Sequence, residues 1–230
     1  MLDDKKIAVI IPALNEESTL PLVLKDISRE LVDEIVVIDN GSSDRTAVIA
    51  RNAGATVLHE TKKGYGYPCL KGIEHIKTSR ADVLVFVDGN YSDHPDEIMN
   101  LVEPIVRNDY DLVLGSRTLG QAEEGSLRVP VRFGNWLATV LISLFYNYKY
   151  SDVGPFRAIK FDRLLDLDMH DNLGWTIEMQ VKAVRRKYRI TEVPVSYRTG
   201  TGKSKLTGNI RGIAVVGYRI IRAILKNLFY

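Results

Sequence analysis

The stretch that decides the fold is residues 34–46, EIVVIDNGSSDRT. After Glu34 come four apolar, mostly β-branched residues, then an abrupt stop at Asp39, a Gly/Ser turn, and a helical pattern beginning at Asp44. A short uninterrupted apolar run of this kind suits a strand covered on both faces. The same grammar recurs at 6–11, 56–59, 83–87 and 112–114, with helical patterns between at 18–30, 44–53, 67–77 and 95–108. Pro95 fits the first turn of the last of these, where its missing N–H costs nothing. Strands alternating with helices in this way imply a mostly parallel α/β sheet. Ligands in such sheets bind at the carboxyl ends of the strands, so the residues just after each strand carry the functional question.

The chain has 230 residues, 45% hydrophobic and 26% charged, which is enough for a sizeable core without covalent staples. Its single cysteine, Cys69, excludes an intrachain disulfide and a Cys-rich metal cluster, and fits a reducing cytosol. Residues 1–12 are too charged, with too short an apolar run, for a signal peptide. The longest uncharged stretch, 133–148, is 16 residues and holds Asn135 and Asn147. That falls short of the roughly 20 apolar residues a bilayer needs, so no spanning helix is expected.

A net charge of +2 hides a division. From Arg185 onward there are eleven lysines and arginines against one acid, Glu192, giving +10; residues 1–184 hold 20 bases and 28 acids, giving −8. A basic tail on an acidic body points to an anionic partner, or simply to a solvated helix face. Beyond residue 115 the pattern becomes a polar loop at 120–125, an apolar helix at 130–148, strands at 153–160 and 190–198, and a helix at 175–187 between them. A Gly/Lys/Ser loop at 200–208 and a helix at 209–229 close the chain. There is no internal repeat, low-complexity tract or linker, so one domain is expected.

Three strand ends carry acids: Glu16 and Glu17 after the first, Asp39 after the second, Asp88 and Asp93 after the fourth. Carboxylates gathered on one rim repel unless a cation lies between them, and hard divalent ions take oxygen ligands. Asp44 reads as a helix cap. Asp39 ends a buried strand and calls for a partner.

In this order, the segments Pro12-Ala13-Leu14-Asn15-Glu16-Glu17, Asp39-Asn40-Gly41-Ser42 and Asp88-Gly89-Asn90 resemble the inverting family-two glycosyltransferases of GT-A fold. The dolichol-phosphate mannosyltransferase branch and its bacterial polyprenyl-phosphate relatives are the most similar. The resemblance implies a Rossmann-like, mostly parallel mixed sheet flanked by helices in a single domain over 1–230. Residues 1–115 would form the nucleotide-sugar half, 116–208 the acceptor half with a closing loop, and 209–230 a basic amphipathic helix. It implies that Pro12, Ala13, Asn15, Glu17 and Asp39 contact the nucleotide, Asp39 at the base or ribose, and that Lys63 and Gly64 of Lys63-Gly64-x-Gly66 lie near the base. It places Asp88, Gly89 and Asn90 at a Mg²⁺ or Mn²⁺ ion. Where the family has D-x-D, Asn90 replaces the second carboxylate, and Asp93 is the candidate to restore the charge.

The same resemblance puts Arg117, Arg128 and Arg132 at phosphates of donor or acceptor, and the segment from Asp152 to Ala158 beside the sugar. The segment from 173 to Met179, with Glu178, closes the acceptor side. Arg198, Gly202, Ser204 and Lys205 match a basic loop over the pyrophosphate. A divalent ion and such cations offset charge on the departing diphosphate. An alcohol acceptor needs a general base, for which Glu178 and Asp152 are candidates. A phosphate monoester, with a second pKa of about 6, is already a nucleophile at neutral pH.

The expected activity is hexose transfer from a GDP- or UDP-sugar to polyprenyl phosphate. A hydroxyl acceptor is the alternative, and a non-catalytic nucleotide-sugar-binding module, suggested by Asn90, is a further one. The carboxylate rim argues against a nucleic-acid partner. Arg211, Arg219, Arg222 and Lys226 share one side of the last helix, which fits a peripheral place on the cytoplasmic face of a membrane or a core helix with one wet side. Asp88→Ala is expected to abolish metal-dependent turnover, and Arg198→Ala to cost more in turnover than in thermal stability, as initial rates beside melting temperatures would show.

Overall fold

The computed structural model describes residues 2–170, 174–199 and 210–228, and within the last segment the side chains at 217, 218 and 220–228. The expected loop at 200–208, with Gly202, Ser204 and Lys205, lies outside the described residues, as do the side chains of Arg211 and Arg219. The first half runs β1 (Ile7–Ala13), α1 (Leu20–Asp26), β2 (Glu34–Asp39), α2 (Thr46–Asn52), β3 (Thr56–His59), α3 (Gly66–Ser79) and β4 (Val83–Phe86). After a 3₁₀ turn at Pro95–Glu97 come α4 (Ile98–Asn108), β5 (Leu112–Ser116), α5 (Val129–Tyr146), β6 (Arg157–Lys160) and α6 (Phe161–Asp166). The last elements are α7 (Trp175–Arg185), β7 (Ile190–Pro194) and α8 (Ile210–Lys226).

The seven strands form one sheet in the order β3-β2-β1-β4-β6-β5-β7. Alternate side chains feed two cores. Ala8 and Ile10 of β1 face the α3 side with Ile73 and Ile76, while Ile7, Val9 and Ile11 face the side of α1 and α4 with Leu20 and Leu101. Covering on both faces is why these strands read as unbroken apolar runs.

The chain winds outward from β1 to β3 and then returns to the other side of β1 as β4. That reversal makes a crevice between the carboxyl ends of β1 and β4, the place where doubly wound sheets hold ligands. Asp88-Gly89 settles into it, and a Cβ on Gly89 would lie 3.2 Å from the Pro12 carbonyl oxygen. Thr19, fully buried, donates from its hydroxyl to the Gly89 carbonyl at 2.9 Å and closes the junction.

The second half departs from the sequence reading in one consequential way. β5 does not follow β4 in the sheet; β6 inserts between them, antiparallel to both. Because β6 runs backwards, its beginning rather than its end lies at the rim, and this delivers Asp152 and Arg157 to the carboxyl ends of β4 and β5. The strand expected at 153–160 shortens to Arg157–Lys160, since Pro155 has no N–H to give a ladder. The strand expected to reach 198 stops at Pro194, and Tyr197 then makes isolated bridges to Asp93 and Ala122.

The apolar helix expected at 130–148 is α5, continuous over 18 residues and long and apolar enough by length and composition alone to cross a bilayer, because residues 129–132, Arg132 among them, join the helix ahead of the uncharged stretch. It packs on α7 and α8 through one side, where Gly134, Ala138 and Ile142 are buried. Its other side, Val129, Phe133, Trp136, Val140 and Leu144, is exposed, Leu144 by 71%.

The approach of β5's following loop to the end of β7 depends on a glycine. A Cβ on Gly120 would stand 2.0 Å from the Val195 carbonyl oxygen and 2.5 Å from its nitrogen. Backbone cannot yield as a side-chain tip does, so Gly120→Ala is expected to cost about 1–3 kcal/mol or more, as overpacking does, read as a lowered urea midpoint with an unchanged slope.

Candidate functional site

Two clefts open along the rim. The first, about 310 Å³, lies over the β1/β4 crevice and is lined by Pro12, Ala13, Leu14, Glu16, Asn40, Gly64, Tyr65, Pro68, Asp88, Gly89 and Asn90. The second, about 260 Å³, lies beside α5 and is lined by Arg117, Thr118, Leu127, Val131, Arg132, Asn135, Trp136, Thr139, Ser151 and Asp152.

Of the residues the sequence singled out for the donor, Pro12, Ala13, Gly64, Asp88, Gly89 and Asn90 line the first cleft. Asn15 and Glu17 act one step away. Asn15 adopts a left-handed backbone (φ 58°), and its Oδ1 accepts from the Ser43 N–H at 2.8 Å. Glu17 Oε2 accepts from the Arg45 N–H at 3.2 Å. Both thereby tie the loop after β1 to the loop after β2. Asp39 is buried and has the partners its position demanded: the Ser42 N–H at 3.0 Å and His59 Nδ1 at 3.0 Å. His59 Nε2 lies 2.9 Å from an Arg51 guanidinium nitrogen, so this imidazole is held between a cation and an acid. Lys63 donates to the Asn40 carbonyl at 3.0 Å, clasping the loops after β2 and β3 together.

Asp88 is held from two directions. The Tyr65 hydroxyl donates to its Oδ1 at 2.7 Å, and its own N–H donates to Asp93 Oδ2 at 3.2 Å. Burial, with the Asp88 and Asp93 charges nearby, lifts the Tyr65 phenol well above its ordinary value, so it stays a donor at neutral pH. Asp93 is 1% exposed, and its Oδ1 has no hydrogen-bond partner among the described residues. Burial, then the neighbouring Asp88 charge, pushes Asp93 up to about 7. Burial raises Asp88 as well, against the pull of Tyr65, Arg117 and Arg157. Asn90 Oδ1 accepts from the Ser92 N–H at 2.9 Å, which leaves that oxygen one lone pair.

This donor set fits a hard divalent cation of the Mg²⁺ or Mn²⁺ kind. Two crowded carboxylates, one with an orphaned oxygen, are relieved by positive charge. Among the described residues no group of three His, Cys, Asp or Glu side chains has metal-holding geometry. A site with so few protein ligands suits an ion that completes its shell with substrate phosphate and water.

Arg198 reaches the same loop from behind. Its N–H donates to the Ser92 carbonyl at 2.8 Å and its guanidinium to the Asp93 carbonyl at 2.9 Å. Its plane lies over the Tyr91 ring at 3.9 Å, and Asp26 stands 3.6 Å away. Arg198 thus braces the Asp88–Asp93 loop, a role its position in the sequence did not announce.

In the second cleft Arg117 is engaged twice over by Asp152, Nε to Oδ2 at 2.8 Å and a terminal nitrogen to Oδ1 at 2.7 Å. The backbone N–H of Arg117 adds a third bond to Oδ2 at 2.8 Å. Both side chains are buried. Arg132 lines the cleft and is exposed; Arg128 precedes the first turn of α5 and does not line it.

Glu178 is placed apart from the expected acceptor role. It is fully buried on α7, 2.8 Å from Lys182 and 3.4 Å from the His170 N–H, and it lines neither cleft. Residues that sequence reasoning passed over are Tyr65, which stood only as the variable letter of Lys63-Gly64-x-Gly66, and His59, Asn135 and Trp136. The visible signal for Tyr65 was its place next to a glycine that opens a helix.

Residues 8–168 match the family described as glycosyl transferase family 2. An uncharacterized glycosyltransferase of Mycobacterium tuberculosis is 32% identical over 219 residues, covering 92% of this chain and 95% of the relative. A dolichyl-phosphate hexose transferase of Haloferax volcanii is 30% identical, covering 96% and 94%. An undecaprenyl-phosphate mannosyltransferase of Micrococcus luteus is 30% identical, covering 92% and 91%. In fold, the chain is similar to the crystal structure of glucosyl-3-phosphoglycerate synthase from Mycobacterium tuberculosis in complex with Mn²⁺, UDP and glucosyl-3-phosphoglycerate. The TM-score is 0.79 at 22% identity, covering 98% of this chain and 81% of that one.

An acid whose folded pKa lies above its ordinary 3.8 binds more protons folded than unfolded, so stability falls as pH rises between about 4 and 7. Metal-free protein is expected to lose urea stability over that window. Asp93→Asn should flatten the profile, and a mutant profile parallel to wild type would contradict the assignment of the buried proton.

Proposed function

We propose that this chain, which belongs to glycosyl transferase family 2, transfers a hexose from a nucleoside-diphosphate donor to the phosphate of a polyprenyl phosphate. The observation that carries the choice of acceptor is the state of the carboxylates that a hydroxyl acceptor would need. Asp152 is consumed by three bonds from Arg117, and Glu178 is paired with Lys182. Both carboxylates are already engaged by cations. A phosphate monoester needs no base, since it is largely a dianion at neutral pH; it needs cations that fix it in line. Arg132, with the Arg117–Asp152 pair behind it, supplies that setting.

The donor occupies the first cleft, with its diphosphate towards Asp88 and Asp93. Asp88 and Asp93, with the Asn90 oxygen, would hold a Mg²⁺ or Mn²⁺ ion. The bound ion would stabilise the negative charge gathering on the departing diphosphate. An acceptor phosphate oxygen attacks the anomeric carbon, the bond from that carbon to the diphosphate oxygen breaks, and the configuration inverts. Arg198 keeps the Asp88–Asp93 loop in register while charge moves past it.

The surroundings of the second cleft also suit a lipid tail. Trp136 lines the cleft and belongs equally to the exposed apolar side of α5 with Phe133, Val140 and Leu144. Tyr218, Ile221 and Leu225 of the neighbouring α8 are likewise exposed. A phosphate headgroup in the cleft would have its isoprenoid chain leave along this face, with the enzyme lying peripherally on the cytoplasmic surface of a membrane. The two named relatives that act on dolichyl and undecaprenyl phosphates support the same reading.

Incubation with radiolabelled UDP- or GDP-hexose and a short polyprenyl phosphate is expected to give label in the organic phase. Arg132→Ala should raise the acceptor KM by about tenfold or more, since a charge-assisted hydrogen bond is worth ~1.5–3 kcal/mol, with the donor KM little changed. Label confined to water-soluble sugar acceptors would overturn the proposal.

A further inference from the structure

We propose that Tyr65 is a positioning residue for the divalent cation, fixing Asp88 so that the loop at 63–66, on the nucleotide side of the donor cleft, is coupled to the metal-binding carboxylate. The inference rests on the reading of the first cleft as the donor site, and it concerns a residue outside the motifs that led there.

Both side chains line that cleft, and they come from different elements: Asp88 follows β4, and Tyr65 is the residue before α3. The bond from the Tyr65 hydroxyl to Asp88 Oδ1, at 2.7 Å, takes one lone pair of the carboxylate and fixes its orientation. The lone pairs that remain are those that would meet a cation. A metal-ligating carboxylate generally needs such a partner to hold its rotamer, because an unrestrained acid spreads its oxygens over several orientations. The need is sharper here. Asp93 lies beside Asp88, its Oδ2 accepting the Asp88 backbone N–H at 3.2 Å, and Asn90 offers an amide in place of a charged oxygen. With one ligand neutral, the orientation of the charged one matters more.

The other end of Tyr65 is equally constrained. Gly64 before it adopts φ 137°, and Lys63 is tied to the Asn40 carbonyl at 3.0 Å. The phenol therefore takes its position from a loop clasped to the end of β2. A nucleotide seated against Gly64 and Asn40 would steady that loop, and through the phenol would steady Asp88. Through these two contacts Tyr65 would link base-side binding to metal binding.

The test is calorimetric titration of UDP and of GDP into the full chain, with and without Mn²⁺, so that no turnover is involved. In wild type, Mn²⁺ should tighten binding of one or both nucleotides. Tyr65→Phe fills the same volume without the donor; it should keep metal-free affinity within about twofold and shrink the Mn²⁺-dependent gain by about tenfold, in line with other ligand-orienting bonds. Asp88→Asn should lose the gain, and the double mutant should lose little more than Asp88→Asn alone. If Tyr65→Phe does not give a folded protein by circular dichroism, Tyr65→Leu serves the same comparison. A full Mn²⁺ gain in the Tyr65 variant overturns this inference and leaves the proposed function standing. A wild-type protein whose nucleotide affinity ignores Mn²⁺ overturns the inference together with the metal assignment beneath it.

Discussion

Two carboxylates, Asp88 and Asp93, are packed beneath the carboxyl end of a central strand where water does not reach Asp93. In the apo protein this arrangement is costly: burial and mutual repulsion both push protons onto the pair. The rest of the rim is organised around that charge. Arg117 and Arg157 lie close enough to pull Asp88 down, Tyr65 donates to it, and Arg198 braces the loop from behind. A fold does not keep acids this crowded for stability alone. In the proposed function a doubly charged ion and a diphosphate complete the arrangement.

The second organising contact is the bidentate Arg117–Asp152 pair. Buried ion pairs of this type contribute little net stability, but leaving one partner alone costs about 3–5 kcal/mol. The pair therefore acts mainly as a geometric lock. It pins the loop after β5 to the approach of β6, and removes Asp152 from the roll of available bases. On the acceptor side as proposed, the cleft then presents the exposed Arg132, bordered by the apolar side of α5. A nucleophile that arrives already ionised, on an apolar tail, matches both features.

The relatives and the fold agree on the broad class and differ on the acceptor. The chain is a family 2 glycosyltransferase, and hexosyltransferases acting on polyprenyl phosphates stand among its relatives at 30% identity. The similar solved structure carries glucosyl-3-phosphoglycerate instead. The common frame is nearly the whole fold, since that match covers 98% of this chain.

How much could be read in advance follows from the range of the forces involved. The apolar runs at β1, β2 and β4, the breaks at Pro12, Asp39 and Asp88, and the helical spacing between them are local properties. They determined the α/β class and the positions of the rim, while the residues assigned to the first cleft came from motifs resembling a known family. Periodicity carries no information about partners, so it could not show that β6 enters between β4 and β5 in reverse and brings Asp152 and Arg157 to the rim. Nor could it show that Arg117 spends its charge on Asp152, or that Tyr65 reaches across from another element to hold Asp88. Those are contacts between residues 23 or more positions apart, several of them through buried charge. Only the closed sheet decides them, because only there does the low-dielectric interior force each ionised group to find its counterpart.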